Sequence, residues 1–295
     1  MASSRSPDPS TTGALLDEAV ARLATAAGPP GPGSHRLDAE LLLAHVLGTS
    51  RARLKSHTEE TRTPSERQAY FALIARRGAG EPVAYLTGTK EFWSLRLAVA
   101  PTVLVPRPET ELLVERALAL RREADGEVAD LGTGSGAIAL AFARERPRWH
   151  IVATDVSAAA LEIARRNAAD TGAGNVEFLE GSWFAPLEGR RFHLVASNPP
   201  YIGADDPVLA YPPLTYEPRS ALTSGADGLA ALREIVRAAP AHLERGGWLL
   251  LEHGEAQAAQ LARELVVRGF THVRSHRDLA GHERATEGRW ASGLG

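Results

Sequence analysis

The 295-residue sequence contains no cysteine. Disulfides, thiolate metal sites and a cysteine nucleophile are therefore excluded, and the chain suits a cytoplasmic setting. It has no run of 18 apolar residues, so no helical membrane span is expected. The polar start, Met1 to Ser10, lacks the apolar centre of a secretory signal, and residues 1–13 read as a disordered tail. Lysine is almost missing: Lys55 and Lys90 stand alone, arginine carries the positive charge, and no functional conclusion follows. With a formal net charge of −3, a bulk electrostatic grip on duplex nucleic acid is not expected. The ten histidines show no metal-ligand spacing, so no metal is expected, and His253, His276 and His282 read as structural or surface residues. No internal repeat is present.

What is there begins with Asn198-Pro199-Pro200-Tyr201, directly after the apolar run from Phe192 to Ser197. A strand ending in this tetrapeptide places one amide side chain and one proline carbonyl at the mouth of a sheet. Both accept hydrogen bonds, so together they can grip the two N–H bonds of a planar NH2 group. Asn-Pro is also an ordinary turn opener, so the motif needs support from elsewhere. Upstream, Asp130-Leu-Gly132-Thr133-Gly134-Ser135-Gly136 follows a short apolar stretch and opens a helical pattern at Ile138, Leu140 and Phe142. Strand, glycine turn and helix are the context of a nucleotide-binding loop, where glycines permit a tight turn and close ligand approach. A second apolar run ends in Asp155, about twenty positions on, where an acidic residue commonly bonds a ribose. Capping the following helix is the other reading of Asp155.

The chain divides by pattern. Residues 14–80 read as a small helical bundle. Leu15, Leu16, Val20 and Leu23 recur at helical spacing, then Leu37, Leu41, Leu42 and Val46, and Thr63-Pro-Ser-Glu66 is a capping box before Tyr70, Leu73 and Ile74. The stretch Gly28 to Gly33 breaks the first helix. Residues 81–107 read as a β-hairpin linker with strands at Phe92–Leu97 and Thr102–Val105 around Pro101. Residues 108–295 alternate strand and helix, the sign of an α/β domain with a covered parallel sheet. Five parallel strands are expected near 128–132, 150–155, 175–180, 192–198 and 247–252, with a closing antiparallel pair at Thr271–Arg277 and Arg289–Ser292.

These residues together resemble the class I S-adenosylmethionine-dependent methyltransferases. More narrowly, the chain resembles the bacterial protein-glutamine methyltransferases that act on peptide-chain release factors. The matching stretches are Arg36–Leu43, Glu81–Gly88, Phe92-Trp93, Pro106–Glu111, Asp130–Gly136, Ser197–Ile202, Tyr216–Pro218 and Asp278–Arg284. The resemblance implies a Rossmann-like seven-stranded sheet, five parallel strands plus a terminal hairpin, behind an N-terminal helical domain that docks the substrate. It implies that Gly132, Thr133, Gly134, Ser135 and Gly136 wrap the methionine part of S-adenosylmethionine, with Asp130 near its amino group. Asp155 would bond the ribose and Trp183 would lie against the adenine. Asn198 and the Pro199 carbonyl would hold the substrate glutamine, with Pro200 and Tyr201 completing the pocket. A monomer acting on class 1 release factors is expected.

Several readings stay open. Trp183 also suits core packing, and Tyr201 a structural lid. Arg107, Glu109 and Glu111 order the cofactor pocket or bind helix ends. Arg51, Arg53 and Lys55 form a solvated face or meet an acidic partner. Of the rival functions, an adenine-amino DNA methyltransferase uses the same tetrapeptide but needs a basic target-reading segment, and none appears. A nicotinamide oxidoreductase fits Gly132, Gly134 and Ala137 but leaves Asn198 to Tyr201 without a role. A non-catalytic binding module leaves the whole cofactor constellation unexplained.

Overall fold

Helix starts and apolar stripes decide the first part of the chain. The computed structural model describes residues 8–26 and 35–291. Of the expected tail over residues 1–13, residues 1–7 lie outside the described residues, as do the Gly28–Gly33 break and Ser292; its end is not a tail, since Thr11 caps the first helix and Thr12 and Gly13 lie inside it. The described chain forms two compact units, one running to Gly88 and including Pro207–Tyr216, the other holding Thr89–Asp206 and Glu217 onward.

In the first unit, α1 (Thr12–Thr25) starts where Thr11 accepts a hydrogen bond from Ala14 N and buries Leu15, Leu16, Ala19 and Leu23. Helix α2 (His35–Val46) buries Ala39, Leu42 and Leu43, and the short α3 (Arg51–Ser56) adds Leu54. Helix α4 (Pro64–Gly78) carries the expected capping box. Thr63 N donates to Glu66 Oε2 at 2.7 Å and Glu66 N donates to Thr63 Oγ1 at 3.3 Å. Tyr70 and Ile74 of α4 close the core, and the Tyr70 hydroxyl donates to Ala39 O at 3.1 Å. Helix α5 (Val83–Thr87) ends at Gly88 in the left-handed region. The basic residues of α3 are used inside the unit. Arg51 and Lys55 reach the buried Glu40 at 2.8 and 3.6 Å, and Arg53 reaches Glu60 at 3.2 Å. A segment far along the chain joins these helices. Tyr216 donates to Ala79 O at 3.1 Å, and Pro212 fills the space above Gly80.

The second unit opens with a hairpin of β1 (Thr89–Phe92) and β2 (Leu95–Ala98). The expected strand Phe92–Leu97 is thus folded back on itself. Trp93 and Ser94 form the turn with φ of 50° and 56°, a conformation that non-glycine residues do not announce in sequence. Thr102–Val105 is irregular rather than a strand; Val103 and Val105 are buried, which explains the alternation. Next come α6 (Glu111–Leu120), β3 (Asp125–Leu131), α7 (Ala137–Glu145), β4 (Arg148–Asp155), α8 (Ala158–Thr171), β5 (Val176–Glu180) and β6 (Phe192–Ser197). The chain finishes with α9 (Ala230–His242), β7 (Leu243–Glu252), α10 (Ala258–Arg268), β8 (Phe270–Arg277) and β9 (Glu283–Trp290).

Seven strands form one sheet in the order β5-β4-β3-β6-β7-β9-β8. The first five are parallel and the last two antiparallel, as expected. Adjacent residues of one strand serve opposite faces. Val128, Leu194 and Leu250 pack with Ile138 and Phe142 of α7, whereas Ala129, Val195 and Leu249 pack with Ile235 of α9 and Leu261 of α10. The closing strand begins six residues before its expected start at Arg289. Its Glu287 and Thr286 are buried, with Glu287 paired to Arg116 at 3.1 Å, so its burial is masked by polar residue types. No helix among the described residues is long and apolar enough to cross a membrane.

The strand order reverses at β3, which lies between β4 and β6. In such sheets the crevice at the carboxyl ends beside the reversal is the place for a ligand. The glycine loop follows β3 and the Asn-Pro-Pro loop follows β6, and Leu131 pairs with Ser197 at those two ends. The Ser197 hydroxyl donates to Leu131 O at 2.7 Å and ties them together.

Candidate active site

The loop after β3 needs its glycines for conformation. Gly132, Gly134 and Gly136 have φ of 70°, 55° and 85°, a region that costs an L side chain roughly 1–2 kcal/mol. Gly132 is also close to Trp183, whose ring a Cβ would meet at 3.1 Å. Gly132 N and Thr133 N both donate to Thr154 O, at 2.8 and 2.9 Å, which fastens the loop to the end of β4. Asp130 lies fully buried beneath it. Its Oδ2 accepts from Thr133 Oγ1 at 2.6 Å and Ala139 N at 3.2 Å, while Oδ1 has no hydrogen-bond partner. Burial pushes its carboxyl up to about 7, against the downward pull of those two bonds. A buried carboxylate oxygen left open at the floor of a glycine loop is the feature a ligand ammonium would satisfy.

Asp155 ends β4 and braces the loop. Its Oδ2 accepts from Gly134 N at 2.8 Å and its Oδ1 from Ser157 N at 2.9 Å. Each oxygen keeps a second lone pair, so bracing leaves room for a ligand hydroxyl. Ser157, not Asp155, caps α8 by accepting from Ala160 N at 3.2 Å. Trp183 is half-buried at a φ of 47°, its carbonyl held by Thr154 Oγ1 at 3.0 Å. It packs partly on the second-face core as well as beside Gly132. Thr133 and Ser135 are buried, and the Ser135 carbonyl accepts from Asn167 Nδ2 at 2.9 Å.

Asn198 lies half-buried at the end of β6, its Nδ2 donating to Thr110 Oγ1 at 3.1 Å. Pro199 is buried and Pro200 partly so. Tyr201 donates to Glu252 Oε1 at 3.3 Å, and its carbonyl accepts from Gln257 Nε2 at 2.9 Å. Gly228 presses on that same carbonyl, at 2.3 Å from where a Cβ would stand. Beyond it, Ile202 exchanges backbone bonds of 2.9 Å with Leu222 and Ser224. The whole Asn-Pro-Pro-Tyr loop is therefore braced from one side.

Three buried neighbours were given no role from sequence: Thr110 and Glu217 lie within matching stretches, and Glu252 lies in none. Glu252 closes β7 at 1% exposure, with Oε2 unpartnered and its carboxyl pushed up to about 7 by burial. Thr110 precedes α6 at 4% exposure. Glu217 accepts from Arg107 Nη2 at 2.6 Å, and burial still raises its carboxyl. An acidic residue closing an apolar strand was the available signal for Glu252. Of the two readings for the Pro106–Glu111 region, neither covers Glu111, which accepts from Trp93 N at 2.8 Å and holds the hairpin turn. His253 is buried between Gly254 O and Thr286 Oγ1, at 2.9 and 2.8 Å. Among the described residues, no three of His, Asp and Glu are grouped to hold a metal.

Known proteins match this arrangement along most of the chain. A model described as the PrmC N-terminal domain matches residues 14–88, and one described as the methyltransferase small domain matches residues 108–224. The "Release factor glutamine methyltransferase" of Burkholderia pseudomallei is 52% identical over 86% of this chain and 91% of its own. The protein of the same description from Escherichia coli is 42% identical over 93% of this chain and 97% of its own. The chain belongs to the release factor glutamine methyltransferase family. Its fold agrees with that of solved structures far from it in sequence. A methyltransferase from Pyrococcus furiosus superposes with a TM-score of 0.54 at 18% identity, over 75% of this chain and 98% of that one. Membership of this family favours the glutamine reading over the adenine-amino DNA alternative.

Proposed function

We propose that the protein transfers the methyl group of S-adenosylmethionine to the side-chain amide nitrogen of the glutamine in the Gly-Gly-Gln motif of class 1 peptide-chain release factors, leaving S-adenosylhomocysteine. The observation that carries the reading is Asn198, an amide anchored through its nitrogen at a strand end adjoining the glycine loop. The residues present fit the cofactor. Gly132 to Gly136 offer a loop free of side-chain bulk at Gly134, Asp130 Oδ1 is an open acceptor for an ammonium, Asp155 has lone pairs for a ribose, and Trp183 offers a ring face for adenine. When bound, the cofactor supplies an electrophilic methyl on a positively charged sulfur.

The protein's task is positioning. A carboxamide nitrogen is a poor nucleophile because its lone pair is delocalised into the carbonyl. Asn198 Oδ1 and the Pro199 carbonyl accept its two N–H bonds and direct the lone pair outward. They also stabilise positive charge developing on nitrogen, the converse of an oxyanion hole. Holding the reacting atoms in line is worth up to about 7–11 kcal/mol. Pro199 and Pro200 stiffen the loop, and Tyr201, held by Glu252 and Gln257, lines it. The alkylated nitrogen sheds its proton readily, so no general base is assigned.

The helical residues 14–80, with the 81–107 connection, serve to dock the release factor, while 108–295 carry out catalysis. The protein works as a monomer in the cytoplasm. Incubation with methyl-labelled cofactor and either a release factor or duplex DNA tests the reading. Label on the release factor glutamine is expected; label on DNA alone overturns it.

A further inference from the structure

We propose that Asn167 positions the glycine loop for the cofactor by tying it to the β1–β2 hairpin, which acts as a brace along α7. The inference rests on the function proposed above, in the part that sets S-adenosylmethionine against Gly132 to Gly136. The front of that loop is fastened to β4, where Thr154 O accepts from Gly132 N and Thr133 N, and Asp155 accepts from Gly134 N. Its rear, at Ser135, is held from α8.

Asn167 lies on α8 at 1% exposure, and its amide is committed to backbone groups of two other segments. Oδ1 accepts from Ala98 N at 2.6 Å. Nδ2 donates to Ala98 O at 3.0 Å and to Ser135 O at 2.9 Å. Carbonyl oxygens only accept and a backbone N–H only donates, so these partners admit one orientation of the amide. The side chain meets Ala98 as the peptide of a neighbouring strand would, and gives its second N–H to the loop. Helix α8 touches the loop one turn earlier as well: a Cβ at Gly136 would stand 3.3 Å from that of Ala164. With water excluded, losing Asn167 would leave buried backbone groups unpaired in the loop and in the hairpin at once.

Ala98 is a firm support because the hairpin is fixed at its other end. The turn residues Trp93 and Ser94 both accept from Arg144 Nη1, at 3.3 and 3.0 Å. Trp93 Nε1 donates to Glu145 Oε1 at 2.9 Å, and Trp93 N to Glu111 Oε1 at 2.8 Å. Arg144 and Glu145 end α7, the helix that the glycine loop opens. Nine helical residues and four strand residues each span about 13 Å, so α7 and β2 match in length. The hairpin is thus bonded to the carboxyl end of α7 directly and to its amino end through Asn167. Between these ties, Phe92 and Leu97 share one core with Ile138 and Phe142. Asn167 is a positioning residue: it acts on the cofactor through Ser135.

The test uses Asn167→Leu and Asn167→Ser in the full chain. Asn167→Leu keeps the volume and removes every bond of the amide. In the cofactor-free protein, hydrogen exchange read by mass spectrometry should quicken about tenfold in the peptide covering 132–136, the scale of one net hydrogen bond. The increase should exceed that in β6 and α9, whereas a loss of overall stability alone would quicken all of them alike. Affinity for S-adenosylmethionine, read by calorimetry without release factor, should weaken about tenfold, again the scale of one hydrogen bond. With cofactor saturating, kcat should stay within about twofold of the parental value, because Asn198 and Pro199 are untouched. Asn167→Ser gives up the bridge but leaves room for water, and it decides the matter should Asn167→Leu fail to fold. Parental cofactor affinity in a folded variant, or exchange that quickens no more at 132–136 than in β6, overturns the inference and leaves the proposed function intact. A parental protein that binds the cofactor yet labels no release factor overturns the proposed function instead.

Discussion

A single side chain, Asn198, carries the chemical reading. Asn198→Ala removes one of two acceptors for the substrate N–H bonds, and should lower kcat at least about a hundredfold, the scale seen for one preorganised donor in an oxyanion hole. Cofactor binding measured separately should persist. Two other residues link the site to pH. Asp130 and Glu252 are held near 7 by burial, above the usual carboxylate values of 3.8 and 4.5. A carboxyl raised in the folded state favours folding when protonated. Its contribution is complete below about pH 4 and is lost as pH rises through 7. Thermal midpoints should therefore decline between pH 5 and pH 8, and Glu252→Gln should flatten that decline. The sequence made Asn198, the three glycines and Asp155 visible because each belongs to a short pattern with a chemical reason. The contacts of Thr110 with Asn198 and of Glu252 with Tyr201 stayed hidden because they arise only when segments far apart in the chain meet.

At the level of elements, legibility followed burial. The strands β3, β4, β6 and β7 are apolar runs buried on both sides, and their positions could be read from the sequence. Strand β9 could not, because Thr286 and Glu287 are polar residues buried through partners on other strands and on α6. The hairpin of β1 and β2 was misread for another reason: a turn made by Trp93 and Ser94 carries no glycine or asparagine to mark it. The capping box of α4 was legible and gives a check. Thr63→Ala removes one of its two reciprocal bonds and should cost about 1 kcal/mol, read from chemical unfolding. Gly228→Ala is expected to be worse. The new methyl would fall 2.3 Å from Tyr201 O at a φ of 75°, so both stability and turnover should drop, and an unchanged thermal midpoint would show that the loop yields easily.

Across the whole molecule, the chain passes between the two units after Gly88, after Asp206 and after Tyr216. The pass through Pro207–Tyr216 begins a few residues beyond Tyr201 and was invisible in sequence, since nothing in a proline- and tyrosine-rich loop reveals its distant partners. Removing residues 1–88 strips that segment of Ala79 and Gly80, against which Tyr216 and Pro212 rest. Limited proteolysis of the shortened protein should cut first within 207–216, and resistance there would show that the segment stands without the helices. The same threading bears on recombination between relatives. An exchange of the amino-terminal helices at a single crossover would pair donor helices with a recipient loop that never evolved beside them. Functional chimeras should require a second, discontinuous graft spanning Pro207 to Tyr216, making this ten-residue stretch part of the inheritance of the distant amino terminus rather than of its immediate neighbours in the gene.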